Sequence, residues 1–245
     1  MSAPATCRRT LDLRACDVDV ENRWKPSAIF IAQQEMGEQH CRDLHCSHQE
    51  LGKHNAFFVL MRQRLDFVAY PAAADIVEAE TWIGPPQRTI FPRFYSFRSP
   101  SGALYGTVST YWMLCSLLDR RILNPADILK DYPQPAHDSL SAPGKLRFSG
   151  PITAQALHRV AYSDMDYNGH ANNTKYVDWC CDLFDISSYQ HRELSYFQIN
   201  YVSELRGGEE VQLDLSEQGD HFMVQGQIPG ENRTVFQAAG SWRPR

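Results

Sequence analysis

Residues 164–179 read DMDYNGHANNTKYVDW, and this stretch decides how the rest of the chain is interpreted. Its first ten residues hold two carboxylates, three carboxamides and one histidine around a single glycine. Apolar residues then recur at helical spacing, which predicts a helix over residues 171–186. Asn172 and Asn173 would lie in or just before its first turn, where side-chain oxygens cap free backbone amides. A helix start with free N–H groups can polarise a carbonyl or hold an anion. For any single residue, an ordinary polar turn that caps an amphipathic helix is the simpler interpretation.

The same stretch carries a family resemblance. Its pattern, Asp-x-Asp-x-Asn-x-His-x-Asn-Asn-x-x-Tyr-x-x-Trp, resembles the signature of the acyl-ACP thioesterases. Two further segments are similar to that family, FVLMR at 58–62 and FQINYVSE at 197–204, and the resemblance runs from about Leu13 to the C-terminus. It implies an α+β fold of two tandem hotdog domains, each an antiparallel sheet wrapped around a long helix.

The composition of the 245 residues is that of a core-forming protein, with 43% hydrophobic residues and a net charge of −5. This charge, without an arginine- or lysine-rich block, argues against a nucleic-acid binder. Seven cysteines without a Cys-x-x-Cys motif predict reduced thiols and a cytoplasmic location. Residues 1–17 lack the apolar core of a signal peptide, and no apolar run approaches membrane-spanning length, so we expect no membrane insertion.

The order of predicted elements occurs twice along the chain. Residues 10–124 predict one strand over 10–20, one helix from Pro26 to about Gly52 and then antiparallel strands, and residues 151–245 repeat this order. Residues 125–150 are rich in proline, charge and small residues, which predicts an interdomain linker with a short helix at 126–130. The resemblance makes the N-terminal hotdog domain the acyl-chain-binding half and the C-terminal one the catalytic half.

The two halves differ where they are aligned. With residues 17–19 opposite 164–166 and one residue of slack, Trp24 falls opposite His170 and Ala69 falls opposite Glu204. The first copy therefore lacks the histidine and the glutamate. We predict one active site per chain, in the second half.

A thioester is already an activated acyl group, so its hydrolysis needs a polarised carbonyl, a positioned water and a base. The resemblance places catalytic residues at Asp166, Asn168, His170 and Glu204. Glu204 is the candidate base, with His170 as the alternative. Asp166 would accept a hydrogen bond from one ring nitrogen of His170 and fix its tautomer. Asn168 offers a donor and an acceptor that can hold water or a substrate oxygen.

Other residues of the stretch are assigned to substrate binding. Backbone amides near Gly169 and His170, at the predicted helix start, would polarise the thioester carbonyl. Gly169 would also let the substrate come close to the main chain. Asn172, Asn173 and Tyr176 are the remaining predicted substrate-binding residues.

A covalent mechanism is not favoured. Plant members of the family carry a cysteine directly after the glutamate, and the residue here is Leu205. Attack by water is therefore preferred over attack by a thiol at that position. Cys180 and Cys181 fall within the predicted helix, where buried cysteines usually only pack.

Histidines and cysteines also cluster on the first helix. Cys41, His45 and His48 share a helical face, but no carboxylate or second Cys/His helix completes a zinc site. We expect His40 to line or pack the core, and we predict neither a metal nor an organic cofactor. The chain has no Gly-x-Ser-x-Gly elbow, phosphate-binding loop or dinucleotide fingerprint.

The predicted activity is hydrolysis of acyl-acyl carrier protein to a free fatty acid and carrier protein. The expected partner is acyl carrier protein carrying a fatty acyl chain, and a homodimer is compatible with the sequence. Because acyl carrier protein is acidic, docking needs local cations. Candidates are Arg62, Arg64, Arg88, Arg93, Arg120 and Arg121.

Two alternatives stay open. A hotdog thioesterase that acts on acyl-CoA is one, because the same site would serve it. A non-catalytic hotdog that binds acyl chains is the other, and it would have no need of a charged base such as Glu204.

Overall fold

Strands form where residues alternate between buried and accessible positions, as residues 221–227 do by burying Phe222, Val224 and Gly226 in turn. The computed structural model describes residues 4–124, 137–231 and 233–245. Its strands are β1 (Thr6–Asp12), β2 (Ala56–Phe67), β3 (Ile76–Ile83), β4 (Ile90–Arg98), β5 (Leu104–Ser116), β6 (Ala154–Arg159), β7 (Arg192–Tyr201), β8 (Glu210–Gln218), β9 (His221–Gln227) and β10 (Thr234–Pro244). The helices are α1 (Pro26–Asp43), α2 (His48–Lys53), α3 (Lys175–Cys181) and α4 (Ser188–His191).

Within the described residues, the strands form one antiparallel sheet in the order β1-β3-β4-β5-β2-β7-β10-β9-β8-β6. The two halves of this sheet have the same internal order, read from opposite edges, with β1 to β5 matching β6 to β10. β2 and β7 pair at the centre, from Arg62 opposite Asn200 to Asp66 opposite Tyr196. The predicted α+β class with two tandem hotdog units is confirmed.

One hydrophobic core runs through both halves. Ile29 and Met36 of α1 and Val177 and Cys180 of α3 are buried in the same cluster. The rings of Phe30 on α1 and Phe197 on β7 lie 6.4 Å apart between centroids. The two halves are therefore joined by side-chain packing as well as by the sheet.

The first helix is shorter than the sequence predicts. Pro26 opens α1 as expected, but α1 ends at Asp43 and a separate α2 begins at His48. His45 has a left-handed φ of 54°, which interrupts the helix. The Ser47 side chain then accepts from the backbone amide of Glu50 and caps α2.

The second-half helix is also not the long helix predicted over 171–186. α3 covers only Lys175–Cys181, because the residues before and after it form other hydrogen bonds. The backbone amide of Asn172 donates to the Asp164 carbonyl at 2.8 Å, outside any helical ladder. At the other end, the Tyr189 hydroxyl donates to the Cys181 carbonyl at 2.9 Å. Among the residues described, no helix combines the length and apolar character needed to cross a membrane.

Two other regions differ in extent from the prediction. The first strand covers Thr6–Asp12 instead of 10–20, because it pairs with β3 and then gives way to a short 3-10 turn at Ala15–Asp17. The predicted helix at 126–130 lies outside the described residues. The described part of the predicted linker, from residue 137, has no regular secondary structure and crosses β7, where Gln198 Nε2 donates to the Gly144 carbonyl at 2.8 Å.

Candidate active site

The residues between Met165 and Ala171 form a tight turn closed by a β-bridge between these two residues. The backbone amide of Asp166 donates to the His170 carbonyl at 2.9 Å, and the Gly169 amide donates back to the Asp166 carbonyl at 3.1 Å. Gly169 has a φ of 79°, a left-handed conformation that favours glycine. The turn therefore fixes His170 relative to the residues before it.

A second contact attaches this turn to the end of β7. The Ala171 amide donates to the carbonyl of Leu205 at 2.8 Å, and the Leu205 side chain is fully buried. The residues that precede each of these two, His170 and Glu204, are brought together as a result. Nε2 of His170 lies 3.1 Å from Oε2 of Glu204, with the side chains 22% and 52% exposed. The imidazole and the carboxylate thus lie within ion-pair distance at a solvent-accessible site.

The predicted contact between Asp166 and the His170 ring is not formed. Oδ1 of Asp166 accepts from the backbone amide of Asn168 at 2.9 Å, two residues further on. This is the local hydrogen bond that aspartate commonly makes in turns. Asp166 therefore shapes the turn that carries His170, while the ring itself pairs with Glu204.

The predicted helix start at Gly169 and His170 is also wrong, because α3 begins only at Lys175. The side-chain oxygen of Asn172 accepts from the backbone amide of Thr174 at 2.9 Å and from its hydroxyl at 2.8 Å, so it does cap backbone ahead of the helix. Backbone and side-chain donors nevertheless remain near the turn. Among the described residues, neither the backbone amide of His170 nor the side-chain amide of Asn168 has a hydrogen-bond acceptor.

The first carboxylate of the stretch, Asp164, has a structural role. It is 6% exposed, and its Oδ2 accepts from the Ala161 amide at 2.8 Å and from His158 Nε2 at 3.0 Å. Burial acts to raise the pKa of Asp164, but these hydrogen bonds outweigh burial and the pKa is lowered. Asp164 therefore fixes the entry to the turn.

A cavity of about 2170 Å³ opens beside the His170–Glu204 pair and extends into the first half of the chain. The cavity wall includes all four predicted catalytic residues together with Asn172, Asn173 and Tyr176. Of these, Asn168 and Glu204 lie on its exposed side. Several first-half apolar side chains continue the wall: Phe57, Phe58, Leu60, Phe91 and Trp112. The cavity thus connects the polar turn with an aromatic-rich interior.

Tyr176 is 2% exposed and belongs to the core as well as to the cavity wall. Its ring contacts those of Trp179, Tyr201 and Phe236. Burial raises the pKa of Tyr176 above its ordinary value. Its hydroxyl is therefore neutral at physiological pH.

Sequence reasoning missed a hydrogen-bond chain that reaches the site from the first half. Gln63 Nε2 on β2 donates to the Tyr201 hydroxyl at 2.7 Å, and this hydroxyl donates to the Asn173 carbonyl at 2.9 Å. The FQINYVSE segment contained Tyr201, but nothing in the sequence indicated its partner on β2. The first half therefore supports the stretch 164–179 directly.

The predicted alignment of the two halves is wrong by one residue at each site position. Asp19 forms the first-half turn with Arg23, as Asp166 does with His170, and the Trp24 amide donates to the Pro71 carbonyl as Ala171 does to Leu205. Arg23 is therefore at the position equivalent to His170, and Tyr70 is at the position equivalent to Glu204. The two turns have the same length, so the alignment needs no extra residue.

The first-half counterpart of the site is closed. The Arg23 guanidinium lies over the Tyr70 ring at 5.7 Å and donates to the carbonyls of Tyr189 and Arg192. The nearby space has a volume of only about 10 Å³. Arg23 and Tyr70 bind neighbouring protein segments where the second half leaves an open site.

The thiols next to the catalytic stretch are buried. Cys180 is fully buried, and burial raises its pKa well above the ordinary value; burial likewise raises the pKa of Cys181 to about 12. Cys41 is different, because the neighbouring Cys46 thiol, aided by Arg93, lowers its pKa below the ordinary value despite burial. Cys41 lies in the cavity wall on α1, where Arg93 Nη2 contacts its sulfur at 3.3 Å.

The histidines that the sequence places on the first helix differ in burial, as predicted. His40 is fully buried, while His45 and His48 are exposed. Burial and then the Arg93 charge lower the pKa of His40 to about 4. Its Nδ1 lies 2.8 Å from Arg93 Nη1 and its Nε2 lies 3.1 Å from the Pro4 carbonyl, so Nε2 carries the proton. Within the described ranges, no group of three or more His, Cys, Asp and Glu residues could hold a metal ion.

Comparisons with known proteins agree with this architecture. The chain is 25% identical to the dodecanoyl-[acyl-carrier-protein] hydrolase of Umbellularia californica over 97% of its own length and 68% of that protein. It is 21% identical to the Cuphea viscosissima acyl-[acyl-carrier-protein] hydrolase, with 97% of the chain and 62% of that protein covered. The chain therefore spans about two thirds of the length of these relatives.

Solved structures show the same fold. An acyl-ACP thioesterase from Bacteroides thetaiotaomicron superposes with a TM-score of 0.90 at 21% identity, covering 98% of both chains. The 12:0-ACP thioesterase of Umbellularia californica gives 0.88 at 21% identity, covering 99% of this chain and 98% of the other. The family model for the acyl-ACP thioesterase N-terminal domain matches residues 4–134, and the model for the C-terminal domain matches residues 153–244. The chain belongs to the acyl-ACP thioesterase family.

Proposed function

We propose that this acyl-ACP thioesterase hydrolyses its substrate by direct attack of water, with Glu204 as the general base. The observation that carries the proposal is the 3.1 Å contact between His170 Nε2 and Glu204 Oε2 beside the cavity. In the tautomer with a proton on Nε2, His170 donates to the carboxylate and orients it. Glu204 then takes a proton from water as the water oxygen attacks the thioester carbonyl carbon.

The attack forms a tetrahedral intermediate with a negative oxygen, which needs hydrogen-bond donors. The His170 backbone amide and the Asn168 side-chain amide are donors near the turn that have no acceptor among the described residues. They are our candidates for holding this oxygen or the attacking water. When the intermediate collapses, the carbon–sulfur bond breaks, and Glu204 returns its proton to the departing carrier thiolate.

The other predicted site residues support this chemistry in different ways. Asp166 and Gly169 shape the turn that holds His170, through the hydrogen bond to Asn168 and the left-handed backbone of the glycine. Asn172 fixes the segment before α3. Gly169, Asn173 and Tyr176 remain our candidates for substrate contact.

The acyl chain would occupy the first-half part of the cavity. An apolar chain gains about 0.8 kcal/mol for each buried methylene group, so it favours a wall of phenylalanine, leucine and tryptophan side chains over solvent. This assignment matches the proposed division into an acyl-binding domain at 10–124, a linker at 125–150 and a catalytic domain at 151–245.

Acyl carrier protein would dock through exposed cations near the cavity. Arg120 and Arg121 have side chains 59% and 73% exposed, whereas Arg93 is only 7% exposed and is wrong as a docking residue. Arg64 is also weakened as a candidate, because it pairs with Asp66 at 2.6 Å. The proposed docking surface is therefore narrower than the predicted set of six arginines.

The test of the carrier uses acyl-ACP and acyl-CoA with the same acyl chain, measured over a range of salt concentration. Activity on acyl-ACP should fall as salt rises, because exposed charges are screened, and activity on acyl-CoA should fall less. Equal rates on the two carriers with the same salt response would favour a general acyl-CoA thioesterase instead. A cytoplasmic location and a homodimer stay predictions.

A further inference from the structure

Arg120 reaches the active site from the first half of the chain. It lies in the turn after β5, where its backbone φ is 58° and its amide donates to the Ser116 carbonyl at 3.1 Å. Its guanidinium lies 4.8 Å from the centre of the Phe57 ring. A cation over an aromatic face is attracted by the ring, so Phe57 helps to hold the guanidinium in place.

This placement brings a cation next to the proposed base. Nη1 of Arg120 lies 3.8 Å from Oε1 of Glu204, while Oε2 of the same carboxylate faces His170 at 3.1 Å. The two oxygens of Glu204 therefore face two different partners, one from each half of the chain. The second-half partner belongs to the turn at 165–171, and the first-half partner is otherwise proposed only for carrier docking.

Groups from three parts of the chain lie near Glu204. His170 comes from the catalytic turn and Arg120 from the turn after β5. Tyr176 of α3 is close enough for the Glu204, Glu209 and Asp166 charges to act on it. Of the two basic side chains within 4.0 Å of the Glu204 carboxylate among the described residues, Arg120 is the one that is always charged.

We propose that Arg120 is a positioning residue for the general base: it holds Oε1 of Glu204 so that Oε2 faces His170. The attraction between the guanidinium and the carboxylate limits the orientations that the Glu204 side chain adopts. The first half of the chain thus contributes to the catalytic chemistry as well as to acyl-chain binding. The inference rests on the proposed role of Glu204 as the base.

The experiment compares Arg120→Gln, Arg120→Lys and Arg206→Gln. Arg206 is a matched control, because it is an exposed arginine two residues from Glu204 in the chain, whereas the ion pair of Glu204 with an arginine is made by Arg120. The substrate is an acyl-N-acetylcysteamine thioester, which has no carrier and no phosphate to dock. The readout is kcat and KM measured separately, because a positioning residue acts on kcat, and a carrier-docking residue has no part in the reaction of this substrate.

In Arg120→Gln, kcat should fall by about 1.5- to 5-fold with little change in KM, since both side chains are partly exposed and their interaction is screened. Arg120→Lys should recover most of the wild-type kcat because it keeps the positive charge, and Arg206→Gln should leave kcat unchanged. In a Glu204→Gln background, the Arg120 substitution should have no further effect on kcat.

Two results would overturn the inference: an unchanged kcat in Arg120→Gln, or an equal loss of kcat in Arg206→Gln. Failure of the proposed base looks different. In that case Glu204→Gln itself would stay nearly as active as wild type. A slow Glu204→Gln enzyme beside an Arg120→Gln enzyme with wild-type kcat would reject the role of Arg120 alone.

Discussion

Replacing Tyr201 with phenylalanine removes one hydroxyl while keeping the ring that packs against Tyr176. That hydroxyl accepts from Gln63 Nε2 at 2.7 Å and donates to the Asn173 carbonyl at 2.9 Å. Each bond contributes about 0.5–1.5 kcal/mol net, so Tyr201→Phe should lower the free energy of unfolding by about 1–3 kcal/mol. The Asn173 segment would also be held less firmly. A loss of about 1 kcal/mol in positioning corresponds to a roughly fivefold lower kcat.

Urea unfolding and steady-state turnover check both parts of this prediction. Tyr196→Phe is the matched control, because it lies on the same strand and none of the described hydrogen bonds uses its hydroxyl. The control should change neither quantity appreciably. A Tyr201→Phe protein with the stability and turnover of Tyr196→Phe would refute the idea that the first half supports the catalytic stretch through this hydroxyl.

Two further predictions concern residues that the proposed mechanism does not use for chemistry. Single replacements of Cys41, Cys180 and Cys181 by alanine should keep most of the turnover, and a trapped acyl-enzyme on any of them would contradict attack by water. Asp164→Asn should destabilise the fold by about 1–3 kcal/mol at neutral pH, because a buried acceptor of two hydrogen bonds is altered. The pKa of Asp164 is lowered in the folded protein, so its contribution is present above the unfolded pKa and is lost as pH falls through the folded one. Thermal unfolding of wild type and Asp164→Asn should therefore converge at acidic pH, and a constant difference would count against this role.

Strand content and the polar turn at the candidate site could be predicted from the sequence, because both depend on local patterns. His221–Gln227 has the predicted bounds, since burial alternates along it with a period of two. The pairing of His170 with Glu204 also lay within reach, because the resemblance marked both residues.

Features that depend on distant partners could not be predicted. The start of α3 is decided by the Asn172 amide, which bonds to Asp164 instead of continuing a helix. Asp166 accepts from the Asn168 amide within the turn and therefore does not contact the His170 ring. The repeat was misaligned because one extra residue was assumed in a turn whose length is the same in both halves. The contact between Arg120 and Glu204 joins segments that no sequence pattern relates.

The most direct test of the central claim is the turnover of Glu204→Gln on acyl-ACP. Glutamine keeps the size and the hydrogen bonding of the side chain but cannot accept a proton at neutral pH. The kcat should fall by about 10²–10⁴-fold, which is the usual contribution of a positioned base. Substrate binding should change little. Tyr70→Phe, at the matching first-half position, should keep nearly full turnover. A folded Glu204→Gln enzyme that turns over within a few-fold of wild type would contradict the account and leave His170 as the candidate base.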